Sequence, residues 1–122
     1  MSRDPRCLLI LRPSKIHGVG VFAASPIRKG EAMPLFVRGD WQHVRSVRGS
    51  IRRYCPVTKT GYYAPRNPHR MSIGWYLNHS AQPNVNAKEG KTQWTSLHYI
   101  PAGRELTIDY QFVDYAVTRR AV

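Results

Sequence analysis

Three observations predict a mainly β domain. Apolar residues come in short runs broken by Gly, Pro and Arg. Leu106, Ile108 and Tyr110 alternate with Thr107 and Asp109, and few stretches space apolar residues as an amphipathic helix would. The chain has 122 residues, enough for one modest core and too few for two, so a single domain over 1–122 is expected.

In order, Cys7–Leu11 is a continuous apolar run between Arg6 and Arg12-Pro13, short enough for a buried strand. Residues 14–20 form a loop whose glycines let the backbone approach a ligand, and Val21 to Ala24 opens the next strand. Ser25 to Glu31 has turn chemistry, and Ala32 to Val37 reads as a strand that Pro34 places at an edge or a bulge. Ile27-Arg28-Lys29-Gly30-Glu31 and Ile100-Pro101-Ala102-Gly103-Arg104 look alike through shared turn geometry rather than as a repeat. Residues 38–71 have weak periodicity, with a short helix read near Gln42 to Arg48. Val85-Asn86-Ala87, a turn at residues 88–91 and a strand from Thr92 to Ile100 make a hairpin.

Composition narrows the function classes. Hydrophobic residues at 42% and charged residues at 21% are ordinary for a globular protein, and no apolar run spans a bilayer. The five apolar residues at Cys7–Leu11 are too few for a secretory signal. An intracellular, cytoplasmic protein is expected, with a nuclear or nucleoid-associated setting as the variant its charge suggests. Cys7 and Cys55 are then reduced packing residues, and the five scattered histidines lack metal-ligand spacing, so no metal is expected. The net charge of +12 is extreme for this length, and 14 arginines stand against 5 lysines. Basic region 38–70, with Arg38, Arg45, Arg48, Arg52, Arg53, Arg66 and Arg70, is a candidate for binding nucleic acid or an acidic protein; a solvated basic face is the plain alternative.

The candidate site begins where the apolar run Trp75-Tyr76-Leu77 meets Asn78-His79-Ser80, a cluster of donors and acceptors that Pro83-Asn84 turns away. With Gly103-Arg104-Glu105-Leu106-Thr107-Ile108-Asp109-Tyr110 and Gly18-Val19-Gly20, this segment resembles the signature of the SET-domain protein lysine methyltransferases. The three motifs stand in the family's order. The resemblance implies small curved sheets with a threaded, pseudoknot-like C-terminal segment. It also implies S-adenosylmethionine as cofactor, with S-adenosylhomocysteine as product, and a protein substrate with a target lysine, such as a histone or another DNA-associated or basic protein.

By motif position, Tyr110 is the catalytic tyrosine that orients the amine. The resemblance likewise implies that His17, Gly18, Val19, Gly20, Asn78 and His79 bind the cofactor and that Phe112, with Tyr115 as its rival, lines the substrate channel. Tyr62 or Tyr63 lines the cofactor or the channel, or else belongs to the core. Trp75 stands where many members carry arginine, and the zinc module that closes the channel in many nuclear members has no counterpart after Tyr110. The tail from Asp114 to Arg120, the substrate or a second subunit would then supply the wall, and a homodimer is the arrangement expected. Acidic residues Glu31, Asp40, Glu89, Asp109 and Asp114 would have to gather at the channel to attract a basic substrate. The alternative is a catalytically silent SET-like module that binds protein or nucleic acid through its basic surface.

Overall fold

The structure is a computed structural model and describes residues 8–36, 39–87 and 94–109. In chain order its strands are β1 (Leu9–Pro13), β2 (Val19–Ala23), β3 (Ala32–Met33), β4 (Trp41–Val44), β5 (Val57–Thr58), β6 (Gly61–Pro65), β7 (Asn78–His79), β8 (Val85–Ala87), β9 (Trp94–Ser96) and β10 (Glu105–Ile108). They make three small sheets, ordered β1-β2-β10-β7, β3-β9-β8 and β4-β6-β5.

β1 and β2 form an antiparallel hairpin from Leu9↔Ala23 to Pro13↔Val19, so loop 14–18 is its tip. β10 comes from the far end of the chain, pairing antiparallel with β2 at Phe22 and Val21 and parallel with β7 at Asn78 and His79. The last motif is thereby tied to both others. Val21, Leu77, Leu106 and Ile108 share one core with Met33, Val85 and Trp94 of the second sheet, and with Ile27, Leu35 and Ile100. Burying each aliphatic side chain contributes about 1.5–3 kcal/mol before ordering entropy is set against it.

Ile27 and Ile100 explain the likeness of their two segments. They exchange backbone hydrogen bonds, at 2.9 Å from Ile27 N to Ile100 O and 2.8 Å in return. Each is followed by a tight turn, closed by Glu31 N to Arg28 O at 3.0 Å and by Arg104 N to Pro101 O at 3.2 Å. The third residue of each turn is a glycine in the left-handed region, Gly30 at φ 80° and Gly103 at φ 87°. That is the type II pattern, which penalises any side chain at this position.

The predicted β architecture is present, and the β8–β9 hairpin pairs Val85↔Ser96 through Ala87↔Trp94. Five local readings change. The first strand, expected to be buried over Cys7–Leu11, is edge strand β1 at Leu9–Pro13, with Leu8 and Leu11 exposed. The helix read near Gln42 to Arg48 is strand β4 at Trp41–Val44, because Trp41 and His43 alternate with Gln42 and Val44 and β6 supplies a ladder. The strand expected over residues 32–37 ends at Met33, just before Pro34, and Leu35 turns inward to be buried. The strand expected to run to Ile100 stops at Ser96, leaving Ile100 as an isolated bridge to Ile27. In β10, Thr107 is buried like its apolar neighbours, so alternation there does not separate core from solvent. Cys7 and residues 88–91 lie outside the described residues.

Candidate active site

Loop 14–20 is held from within by its own serine. Ser14 N donates to Gly18 O at 2.7 Å, while Ser14 Oγ accepts from Ile16 N at 2.9 Å. Small hydroxyl side chains suit this position because they can bond to backbone a residue or two along. The same Oγ donates to Glu105, with both carboxylate oxygens 2.9 Å away.

Asn78 closes the assembly. A 3₁₀ turn at Ile73–Tyr76 delivers it into β7, where its residue is buried. Its Nδ2 lies 2.9 Å from Glu105 Oε2, 3.1 Å from His17 O and 3.3 Å from Val19 O. One amide group thus joins the three motif segments. Gly20 is required at the centre of this contact, since a Cβ there would lie 2.2 Å from Glu105 Oε2 and 3.0 Å from Asn78 Nδ2. Outward, the loop is open: a Cβ at Gly18 would meet nothing within 4 Å, and His17 and Gly18 are exposed.

Asn84 organises the other side of β10. Its Oδ1 accepts from Thr107 N at 2.8 Å, its Nδ2 donates to Glu105 O at 2.9 Å, and its backbone N donates to Thr107 O at 3.2 Å. A carboxamide carries the same donor and acceptor as a peptide group, so Asn84 acts here as a one-residue strand. Ser80 N to Ile108 O at 3.0 Å continues the tie. The N-H-S-x-x-P-N segment therefore grips β10 at both of its asparagines.

The sequence-predicted residues divide accordingly. His17, Gly18, Val19, Gly20 and Asn78 are brought together around one contact set. His79 is adjacent on β7 with its imidazole exposed, Nδ1 being 3.9 Å from Asp109 Oδ1. Tyr110, Phe112 and Tyr115 lie outside the described residues, as do Arg38, Glu89 and Asp114. Tyr62 and Tyr63 belong to β6: Tyr63 is buried edge-on against Trp41 at 5.1 Å, and Tyr62 accepts a hydrogen bond from Arg52 Nε at 3.1 Å. Glu31 and Asp40 do not share a cluster. Glu31 Oε1 accepts from Arg28 N at 3.0 Å, whereas Asp40 Oδ2 accepts from Trp75 Nε1 at 2.8 Å and Ser72 N at 3.0 Å.

Trp75, which stands where many members carry arginine, fills core space. It is buried and meets Phe36 edge to face at 5.4 Å. Burial pushes the Asp40 carboxyl up, but the hydrogen bonds from Ser72 and Trp75 outweigh it and hold the group below its ordinary value. Sequence reasoning gave no role to Ser14, Glu105 or the Asp40–Trp75 pair, and gave Asn84 only a place in a turn. Glu105 and Asn84 are motif positions and carried a signal; Ser14 carried none.

A family model for the SET domain matches residues 18–111, which covers all three motif segments. The chain belongs to the SET-domain family. Solved SET-domain structures share its fold. A Plasmodium falciparum protein described as a histone methyltransferase superposes with a TM-score of 0.59 at 20% identity, over 84% of this chain and 91% of that one. The Chaetomium thermophilum polycomb repressive complex 2 gives 0.62 at 21% identity, over 85% of this chain but 15% of that one. A humanized mutant of that complex, bound to an inhibitor, gives 0.62 at 22% identity, over 93% of this chain and 16% of that one. This SET domain therefore spans a small part of the polycomb chains it resembles. No curated protein sequence matches it significantly.

Proposed function

We propose that this SET domain is a protein lysine methyltransferase that uses S-adenosylmethionine. The observation that carries the reading is the convergence on Asn78 Nδ2 of His17 O, Val19 O and Glu105 Oε2, from segments 61, 59 and 27 residues away. The residues suit the cofactor, for the loop is braced on its inner side and open at Gly18. S-adenosylmethionine, when bound, supplies an electrophilic methyl group. His17, Gly18, Val19 and Gly20 would hold it through backbone groups, with Asn78 and His79 beside them. Asn78 already donates to protein acceptors, so its main part is to keep the loop in shape.

Methyl transfer needs a neutral amine placed in line, and positioning with exclusion of water supplies much of the rate. A lysine in a narrow apolar channel has its pKa lowered by desolvation and by nearby positive charge. Tyr110 is the proposed catalytic residue, its hydroxyl orienting the amine, with Phe112 and Tyr115 along the channel. A second copy of the chain is the proposed outer wall. Leu8, Leu11 and Ile16, exposed on and beside edge strand β1 next to the loop, support such pairing. The substrate class is a histone or another DNA-associated or basic protein.

The experiment is a calorimetric titration with S-adenosylmethionine followed by a methyl-transfer assay of wild type and Tyr110→Phe on histone and ribosomal proteins. Saturable binding by both, with transfer by wild type alone, is expected. Absence of binding would favour the second reading, a catalytically silent module, which the concentration of charge on the third sheet supports.

A further inference from the structure

We propose that the third sheet, with the 3₁₀ turn Ser50–Tyr54 packed on it, is a surface for duplex DNA that contacts the phosphate backbone. Six described arginines and Lys59 lie between residues 41 and 70, and all seven are exposed. Over residues 39–76 the single acidic residue is Asp40, whose Oδ2 is held by Trp75 Nε1 and Ser72 N and so faces the core side. The other described acids, Glu31, Glu105 and Asp109, sit on or beside the other two sheets. Among the described residues, 39–76 carries seven Lys and Arg against one acid while the rest carries five against three, so the excess of positive charge is greatest on this unit.

The unit places cations at both ends of the β4–β6 ladder. Arg45 follows β4 directly beside Gly61, where a Cβ on Gly61 would lie 3.1 Å from Arg45 Cα, and Lys59 lies in the β5–β6 turn that ends at Gly61. Arg52 leans over Tyr62 at 5.6 Å from its ring centre. At the other end Arg66 N donates to Asp40 O at 2.7 Å, just beyond the Trp41↔Pro65 pair, with Arg70 four residues on. Four paired residues span roughly 10–14 Å at a strand's rise. That is the rise of about three to four base pairs, so the two ends match phosphates along one duplex face.

The aromatic side chains decide between duplex and single strand. Single-strand binding uses free ring faces on which bases stack. Here Arg52 covers Tyr62, Trp41 and Tyr63 meet edge on at 5.1 Å, and His43 meets Tyr63 at 5.3 Å. The rings are engaged with one another, and the exposed groups are guanidinium forks suited to phosphates. Such a surface reads charge and shape rather than sequence. It rests on the methyltransferase reading in one respect: a basic substrate on the same duplex has its charge neutralised by the DNA, which removes the repulsion this domain would otherwise impose.

The test is fluorescence anisotropy with a labelled 20-base-pair duplex across a salt series, without S-adenosylmethionine, so that its outcome is independent of methyl transfer. If about five phosphates are contacted, log affinity falls against log salt with a slope of roughly −4 to −5. Arg45→Gln/Arg48→Gln/Arg53→Gln should reduce that slope by about three and weaken binding at least ~10-fold. Arg12→Gln/Lys29→Gln/Arg104→Gln removes equal charge from elsewhere and should weaken binding by no more than ~3-fold, since screening limits distant charges. Circular dichroism confirms that both variants fold. No duplex binding at low salt, or equal loss in the two variants, overturns the proposal. So does tighter binding of the single strand than of the duplex. Polyglutamate bound as tightly as duplex would point to an acidic protein instead.

Discussion

Glu105 and Asn78 form the contact on which the candidate site depends: Glu105 Oε2 accepts from Asn78 Nδ2 at 2.9 Å, while the same carboxylate receives Ser14 Oγ. Replacing Glu105 with Ala leaves both donors without this acceptor. The expected loss of folding stability is about 1–3 kcal/mol. Urea unfolding of Glu105→Ala, Asn78→Ala and the double variant should show a combined loss smaller than the sum of the two single losses, because the contact they share is removed only once. Full additivity would mean that the two side chains act separately.

Cofactor affinity should follow loop shape more closely than overall stability. Asn78→Ala removes the donor to His17 O and Val19 O, and S-adenosylmethionine binding should weaken by about 1–3 kcal/mol. Calorimetry on protein shown to be folded checks this. An unchanged dissociation constant would take Asn78 out of the binding site.

Gly20→Ala tests the close approach directly, because the new methyl would enter the space of Glu105 Oε2. Overpacking of this kind costs about 1–3 kcal/mol. Combining Gly20→Ala with Glu105→Ala should recover part of the loss, and a thermal melt of the three variants measures it.

Asp40 gives the fold a pH dependence of definite sign. Its folded pKa lies below the ordinary value of 3.8, so the stability it contributes is fully present above that value. It is lost as pH falls through the folded pKa. The stability difference between wild type and Asp40→Ala should therefore be constant from neutral pH down to about 5 and shrink below about 4. Chemical unfolding at each pH checks the profile; a gap that widens on acidification contradicts it.

Phe112→Tyr addresses how many methyl groups are added. A tyrosine hydroxyl at the channel can hold a water in the space a further methyl would need. Wild type is expected to reach di- or trimethyl-lysine and the variant to stop earlier, as read by mass spectrometry of the product. Identical distributions would remove Phe112 from the channel.

Much of this was legible in the sequence because motif spacing is a local property. Gly18-Val19-Gly20, Asn78 and Glu105 could be read as three segments in family order, and the structure brings them to one amide. What joins them could not be read, since hydrogen bonds between residues 14 and 105 or 84 and 107 depend on topology. The middle of the chain was opaque for a different reason. Trp41 to Val44 becomes a strand because β6 is available as a partner, and an aromatic-rich segment with weak periodicity does not announce its partner. Trp75 was recognisable as a departure from the family pattern, but its bond to Asp40, 35 residues away, appears only in the folded chain.

The pairing of β2 with β10 also sets an order of events on the ribosome. The β1–β2 hairpin emerges first, while the strand that joins it at Phe22 and Val21 is synthesised more than eighty residues later. At roughly 5–20 residues per second that is an interval of several seconds. During it, the β2 backbone that will pair with β10 has no native partner, and such an exposed edge invites pairing with other chains. Gly20 and the loop carbonyls also wait for Asn78 and Glu105. A nascent chain stalled before Glu105 would thus present an open hairpin to chaperones and neighbouring chains, and loop 14–20 would gain its brace only when β10 arrives.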